Sequence, residues 1–421
     1  MSTIAGVRAA VFIASTLLGA AAAVGGPLTP PPGAVSSTGK PLSQVEPRSA
    51  ITALPMVINA AGSYYLTDNL SIPANQVGIQ VNASGVTIDL SGFTINGNGV
   101  SGDGIDVASS ARGVTIRNGS ITNVGGCGID AASGSADLAD GLTVEGVRVL
   151  TAGSRGITGS RGATIRNCYV NGAQIGIRAG FSSKVLSCTV EFATQTGFIV
   201  EGGSMLEACV AVGTAGGPTN GRGFVFGAGN VAENCVARSN TGAGFAVSDQ
   251  ALLRGCSSTA NTGAGFVLGS DSRLETCSAI ANAGAGVTGN LIRNWEINGC
   301  IIRVPANGTC VNITGQSHTG KVVDCTLAGP FGFPATATGV FVNDSLYVTV
   351  TRNTFTSMTR GVVIDDAWNT ITGNVFAAVS SPVTTSMPGL ILLSNVNVIG
   401  PMVDFQNAAT NTNPLANIRH N

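Results

Sequence analysis

The chain has 421 residues, with 21 Lys and Arg against 22 Asp and Glu, a formal net charge of −1, and charged residues making up only 10% of the total. That balance excludes the electrostatic footprint of a nucleic-acid or anionic-membrane binder. Fifty-nine glycines beside 44% hydrophobic residues suit tight turns between buried strands and exclude disorder for most of the chain.

Residues 1–23 carry Arg8, an apolar run from Ala9 to Leu18 and small residues from Ala21 to Ala23. This is the pattern of a secretory signal with an A-x-A cleavage site, an N-terminal membrane anchor being the rival reading. No later segment is long and apolar enough to span a bilayer, so no span is expected in the mature chain. Residues 24–47, rich in Pro, Gly and Ser, read as an extended linker. Residues 48–403 are expected to form one solenoid, and 404–421 a C-terminal cap or tail.

Between Cys168 and Cys277 the sequence repeats about every 21 residues. The copies starting at Cys235, Cys256 and Cys277 superpose Asn240, Asn261 and Asn282, then the G-A-G triplets, then Phe245, Phe266 and Val287. The unit is too short for a helical hairpin, and its apolar residues alternate in bursts separated by Gly and Asn. The fold class is therefore all-β, a single-stranded right-handed parallel β-helix of about thirteen coils of about 21 residues each.

Three inward columns follow from the alternation. One runs from Val147 through Cys168, Cys188, Cys209, Cys235, Cys256, Cys277, Cys300 and Cys325 to Asn353 and Asn374. A second, three residues earlier, includes Ile116, Val144, Ile165 and Val185. A third includes Ile129, Ile157, Ile177, Phe198, Phe224, Phe245 and Phe266. Loops are expected to leave the rod around Asp137, from Pro218 and from Gly329.

Eight of the ten cysteines fall in one inward column, with neighbours one coil apart, farther than the usual ~3.8 Å between Cβ atoms of a disulfide. They are read as a buried ladder of free thiols. Cys127 and Cys310 are placed in outward Gly-x-Gly turns, too far apart to bond each other. Two residues before the cysteine position, Arg117, Glu145, Arg166, Glu207, Glu233, Arg254 and Glu275 are expected to pair vertically on an exposed face.

Two carboxylate groups are candidate sites. Asp103, Asp106 and Asp130 lie on successive coils, with Arg155 and Arg178 expected above them on the same face. Asp344, preceded by Asn343, falls at the turn occupied one coil later by Asp365 and Asp366, in a column that also holds Glu201, Asp249 and Asp271. Stacked oxygen-rich turns suit calcium, and Asn and Asp also favour turns for backbone reasons alone. Tyr169, Trp295, Tyr347 and Trp368 are the candidate exposed aromatics for a sugar platform.

The opening module, AAGSYYLTDNLSI from Ala60 to Ile72 and VTIDLSGFTINGNG from Val86 to Gly99, resembles the signature of secreted bacterial right-handed parallel β-helix repeat proteins of the pectate-lyase-like superfamily. TNTNPLANI, from Thr410 to Ile418, is similar to the closing segment of a subgroup. The resemblance covers nearly everything after the linker. It implies an extracellular, periplasmic or cell-surface location and a polysaccharide partner.

The superfamily's enzymes cleave or epimerise acidic glycans. The resemblance to pectate lyases implies calcium held by carboxylates such as Asp103, Asp106 and Asp130, with Arg178 or Arg155 abstracting the α-proton of a uronate. The chain lacks the G-H-G and R-I-K motifs of the pectin hydrolases and the D-P-H motif of alginate epimerases. Its only histidines are His318 and His420. The expected function is therefore a surface scaffold interacting with carbohydrate, requiring no cofactor and performing no catalysis. A calcium-dependent polysaccharide lyase is the second reading. A self-associating envelope or matrix protein, joined end to end or through Cys127 and Cys310, is the third.

Overall fold

The computed structural model describes residues 47–133, 141–330, 336–366, 368–385, 390–398 and 418–420. The expected signal segment, most of the expected linker, the loop around Asp137, part of the loop after Gly329 and residues 399–417 lie outside the described residues. The chain divides into Met1–Pro47 and Arg48–Asn421, and the architecture below is that of the second unit.

Short β-propensity triplets, interrupted by residues that accept left-handed geometry, leave the chain no option but to turn every few residues. It folds as a right-handed parallel β-solenoid of about 14 turns, about 23 residues apart. A middle coil shows the plan: Lys184–Leu186, Thr189–Glu191 and Thr196–Val200 are its three strands. They pair in parallel with Met205–Glu207, Val210–Val212 and Arg222–Phe226 of the next coil. Central coils keep the 21-residue step, Leu253 lying beside Leu274. Loops raise the mean, among them the helical turn Gly217–Asn220 at the Pro218 loop. Ile418–His420 adds a parallel rung on Val396–Val398.

Each strand contributes an inward residue at a fixed register. Ile129, Ile157, Ile177, Phe198, Phe224, Phe245 and Phe266 follow one another up the third strand row, none more than 1% exposed. The phenyl rings stack with centroids 4.7, 4.7 and 5.0 Å apart. Full burial of each such ring contributes ~1.5–3 kcal/mol relative to exposure.

All ten cysteines are free and buried. Those from Cys168 to Cys325, Cys310 apart, sit between the first and second strands of their coils. There a buried backbone N–H must find an acceptor in the next coil. The Cys256 N–H donates to the Cys277 sulfur at 3.3 Å and that of Cys300 to the Cys325 sulfur at 3.4 Å. From Cys325 onward asparagine is the acceptor, and the Cys325, Asn353 and Asn374 N–H groups donate to Oδ1 of Asn353, Asn374 and Asn395 at 2.8, 2.9 and 3.0 Å. At another corner Asn240 and Asn261 donate in the same way to Asn261 and Asn282. Thiol and amide are thus interchangeable here because either can accept a buried N–H.

Ahead of the third strand the coils approach so closely that glycine predominates. A Cβ on Gly128, Gly156, Gly176 or Gly197 would lie 2.5, 2.5, 2.6 or 2.6 Å from the carbonyl oxygen of the next residue in the column. Cys310 occupies this column between Gly286 and Gly339, and its thiol points inward to the carbonyls of Ile302 and Ala328, both at 3.7 Å. Its outward placement from the sequence is therefore corrected. Cys127 is corrected too: although it lies in a turn, it is 5% exposed, lodged against Asp103 and Asp130. Burial pushes the Cys127 thiol up to about 11 and the Cys310 thiol up to about 12. Neither is placed to join two molecules.

A different corner, between the third strand of one coil and the first of the next, is open. Its residue has positive φ in thirteen successive coils, from Gly85, Gly113, Gly141 and Gly162 through Ser182, Gly203, Gly229 and Gln250 to Asp271, Asn294, Thr319, Tyr347 and Trp368. Outside the first strand row, the vertical ion pairs form as expected: Arg166 reaches Glu145 at 2.8 Å, and Arg254 reaches Glu233 at 2.8 Å and Glu275 at 3.1 Å. These pairs are solvent-exposed and screened by salt.

Two outcomes test the packing. Gly176→Ala should destabilise the rod by roughly 2–4 kcal/mol, since its Cβ meets backbone and a packed valine, whereas Gly113→Asn should change stability by less than about 1 kcal/mol, because Asn tolerates left-handed geometry. Urea melts of the two variants read the difference. Native thiol titration should find no fast-reacting cysteine, with all ten appearing in guanidinium. A mapped intramolecular disulfide would contradict the free-thiol interior.

Candidate functional site

The third strand row carries the first acidic group. Its outward positions run Asp106, Asp130, Thr158, Arg178 and Ile199 in register. Asp103 stands in the turn before Asp106, where its Oδ1 accepts the Cys127 backbone N–H at 2.6 Å. The Cys127 thiol lies 3.9 Å from Asp130 Oδ2. Burial holds the Asp103 carboxyl above the usual carboxylate range, reinforced by the charges of Asp130 and Asp106 and opposed by the Cys127 N–H. Asp103 therefore feels both neighbouring carboxylates.

The arginines do not complete this group. Thr158, fully buried, occupies the coil between Asp130 and Arg178, so Arg178 is two coil spacings away, ~9.6 Å along the rod. Its guanidinium is engaged by Glu201 at 3.1 Å. Arg155 belongs to a neighbouring register position, beside Ile175.

At the second group, Val342 and Ile364 are in register, which sets Asn343 and Asp344 one coil from Asp365 and Asp366. The backbone explains much of this composition. Asp344 has φ 59°, and the Asp366 carbonyl accepts the Asn369 side-chain amide at 2.9 Å. Asp249 and Asp271 serve turns as well, accepting the Ser270 N–H at 2.8 Å and the Asn294 amide at 2.9 Å. Among the described residues no three His, Cys, Asp or Glu side chains converge as a metal-binding group.

The four candidate aromatics separate clearly. Trp295 is 1% exposed, packed into the coil above a glycine, Gly320, whose Cβ would strike the indole. Tyr169 donates its hydroxyl to Glu191 at 2.7 Å, an interaction that holds the phenol up, and Arg148 lies over its ring. Tyr347 and Trp368 are 59% and 65% exposed.

A feature that no carboxylate marks lies at the corner between the second and third strand rows. A groove of 370 Å³ crosses five successive coils, from Gly99 to Thr194. Its lip is built by Asn123, Thr151 and Gly172, equivalent positions with φ 54°, 58° and 72°. Gly125 and Gly153 leave the backbone bare, and Gln174 crosses to the Gly153 carbonyl at 2.8 Å. Among the described residues no charged side chain lines it. The next residue of the same corner column is Phe192, 58% exposed, its ring lying over Gly213. In the sequence, the only hint was an aromatic directly after the alternating triplet Thr189–Glu191, where the chain must already be turning outward.

Right-handed β-helix models match residues 57–211 and 156–338. No curated protein is similar in sequence. Among solved structures, the mannuronan C-5 epimerase AlgE6 A-module of Azotobacter vinelandii superposes with a TM-score of 0.45 at 16% identity, over 81% of this chain and 92% of that one. The AlgE4 A-module from the same organism gives 0.42 at 13% identity, over 79% and 91%. The tailspike protein of Escherichia coli bacteriophage HK620, in complex with a hexasaccharide, gives 0.42 at 12% identity, over 83% and 72%. These are likenesses of fold. Strand pairing, three-column interior and matched residues together make this chain a member of the right-handed β-helix family.

Proposed function

We propose that the chain is a rigid carbohydrate-binding rod, acting at the cell surface or outside the cell, that holds an extended polysaccharide in the Gly99–Thr194 groove without cleaving it. The carrying observation is the groove's repetition along the rod: polar, uncharged side chains recur from coil to coil, at Asn123, Thr151, Gln174 and Thr194. A linear glycan presents hydroxyls at regular intervals. Amides and hydroxyls both donate and accept, so they match such hydroxyls irrespective of orientation. Five coils span ~19 Å along the axis, and the glycine floor lets a flat chain approach the backbone closely. Phe192 offers a ring face at the groove's end.

Two observations favour binding over the lyase reading. Arg178 is committed to Glu201 and stands two coil spacings from Asp130, apart from the carboxylates. Asp103 gives one carboxylate oxygen to a backbone N–H, a turn-stabilising role that accounts for the residue without a metal, and calcium has no part in the proposal.

Gly172→Asn tests the groove directly. The position has φ +72° with its nearest neighbour 3.8 Å from an added Cβ, and Asn already holds the equivalent corner at Asn123. Its side chain should occupy the groove, leave the melting temperature nearly unchanged and weaken glycan binding at least about tenfold, as read by calorimetry against a glycan identified on an array. Unchanged affinity would remove the groove from the proposal.

Calcium should leave the melting temperature unchanged. A site occupied at a hundredfold excess over Kd would instead add ~2.7 kcal/mol. Calcium-dependent release of unsaturated uronates from an acidic polysaccharide would establish the lyase reading in its place.

A further inference from the structure

At the open left-handed corner the chain uses glycine or short polar residues for eleven coils, then changes character. The last two described positions of that column are Tyr347, with φ 61°, and Trp368, with φ 65°. The strands that follow them, Thr349–Thr351 and Thr370–Thr372, are paired in register, so the rings project from equivalent points one coil apart, ~4.8 Å. Left-handed geometry in a residue with a bulky side chain costs about 1–2 kcal/mol, and exposure of 59% and 65% returns little of it through burial. Large aromatics held outward at such a place are explained by something that covers them.

The surrounding turns say what that is. Asn343 and Asp344 precede Tyr347, while Asp365 and Asp366 precede Trp368; neither Asn343–Tyr347 nor the stretch 365–368 contains Lys or Arg. An aromatic face beside carboxylates repels phosphates, uronates and sulfated sugars. It suits an uncharged pyranose, whose apolar C–H face rests on a ring while its hydroxyls donate to carboxylate oxygens. We infer that Tyr347 and Trp368 form a second carbohydrate subsite, selective for neutral hexose chains and separate from the groove at Gly172. The inference rests on the glycan-binding reading above and adds to it a ligand class and a second point of attachment.

Trp368 supplies its own readout, because Trp295, the other tryptophan, is buried. Acrylamide, an uncharged quencher that the neighbouring carboxylates do not repel, therefore quenches Trp368 selectively in the native protein. Cellohexaose, maltohexaose and mannohexaose are to be compared with oligogalacturonate, in the wild type, in Gly172→Asn and in Tyr347→Ala. Alanine already holds left-handed geometry at Ala208 and Ala260, so the last variant keeps the corner.

At least one neutral hexasaccharide should protect Trp368 from acrylamide in the wild type and equally in Gly172→Asn. Protection should need at least about tenfold more ligand in Tyr347→Ala, and oligogalacturonate should give none. Absence of protection by all three neutral chains overturns the subsite, as does equal protection by oligogalacturonate or loss of protection in Gly172→Asn. Calorimetric binding that Gly172→Asn removes, without any protection of Trp368, would leave the groove standing and the subsite refuted. No heat with any glycan would refute both.

Discussion

The closest approach between neighbouring coils governs everything else in this rod. At the turn before the third strand the backbone of one coil lies so near the carbonyl of the next that a Cβ would sit about 2.5 Å from oxygen at position after position. Glycine therefore sets both the spacing and the register. With register fixed there, isoleucine and phenylalanine fall on isoleucine and phenylalanine, and rings meet face to face at 4.7 to 5.0 Å. A one-residue slip would turn every inward side chain outward, so the interior has one arrangement that fills it.

Within that frame the interior is selected by two demands, volume and acceptors. Phenylalanine, leucine and valine meet the first. Cysteine and asparagine meet the second, each receiving an N–H that the preceding coil cannot otherwise satisfy. The switch from sulfur to amide at Asn353 changes the residue but not what it does. The same economy appears at another corner, where Ser183, Ser204, Asn230 and Ser272 accept the N–H of Ala163, Ser183, Ser204 and Ala251.

Much of this was legible without coordinates, because a solenoid writes its architecture as a period. The in-phase Asn240, Asn261 and Asn282, and the phenylalanines after each G-A-G, locate the inward columns correctly. Cys127 and Cys310 were misplaced because a residue between glycines reads as a turn, whereas whether the turn faces in or out depends on neighbours in other coils. Nothing local in the sequence ties Arg178 to Glu201, which is distant along the chain and adjacent only across a coil. Trp295 looked exposed because nothing local announces that Gly320, one coil on, makes room for an indole. The groove has no motif at all: its walls are ordinary Asn, Thr, Gln and Gly, and only their alignment on five coils makes them a site.

The parallel pairing has a mechanical consequence. Backbone hydrogen bonds between coils run along the rod, so tension applied end to end is borne by every coil boundary in series. The assembly then yields at whichever boundary is weakest, and reinforcing one strong interface does nothing for the rest. A polymer lying in a groove that spans five coils bridges four boundaries at once. Such a ligand would act as a splint, sharing load across the junctions it covers and moving the point of failure elsewhere.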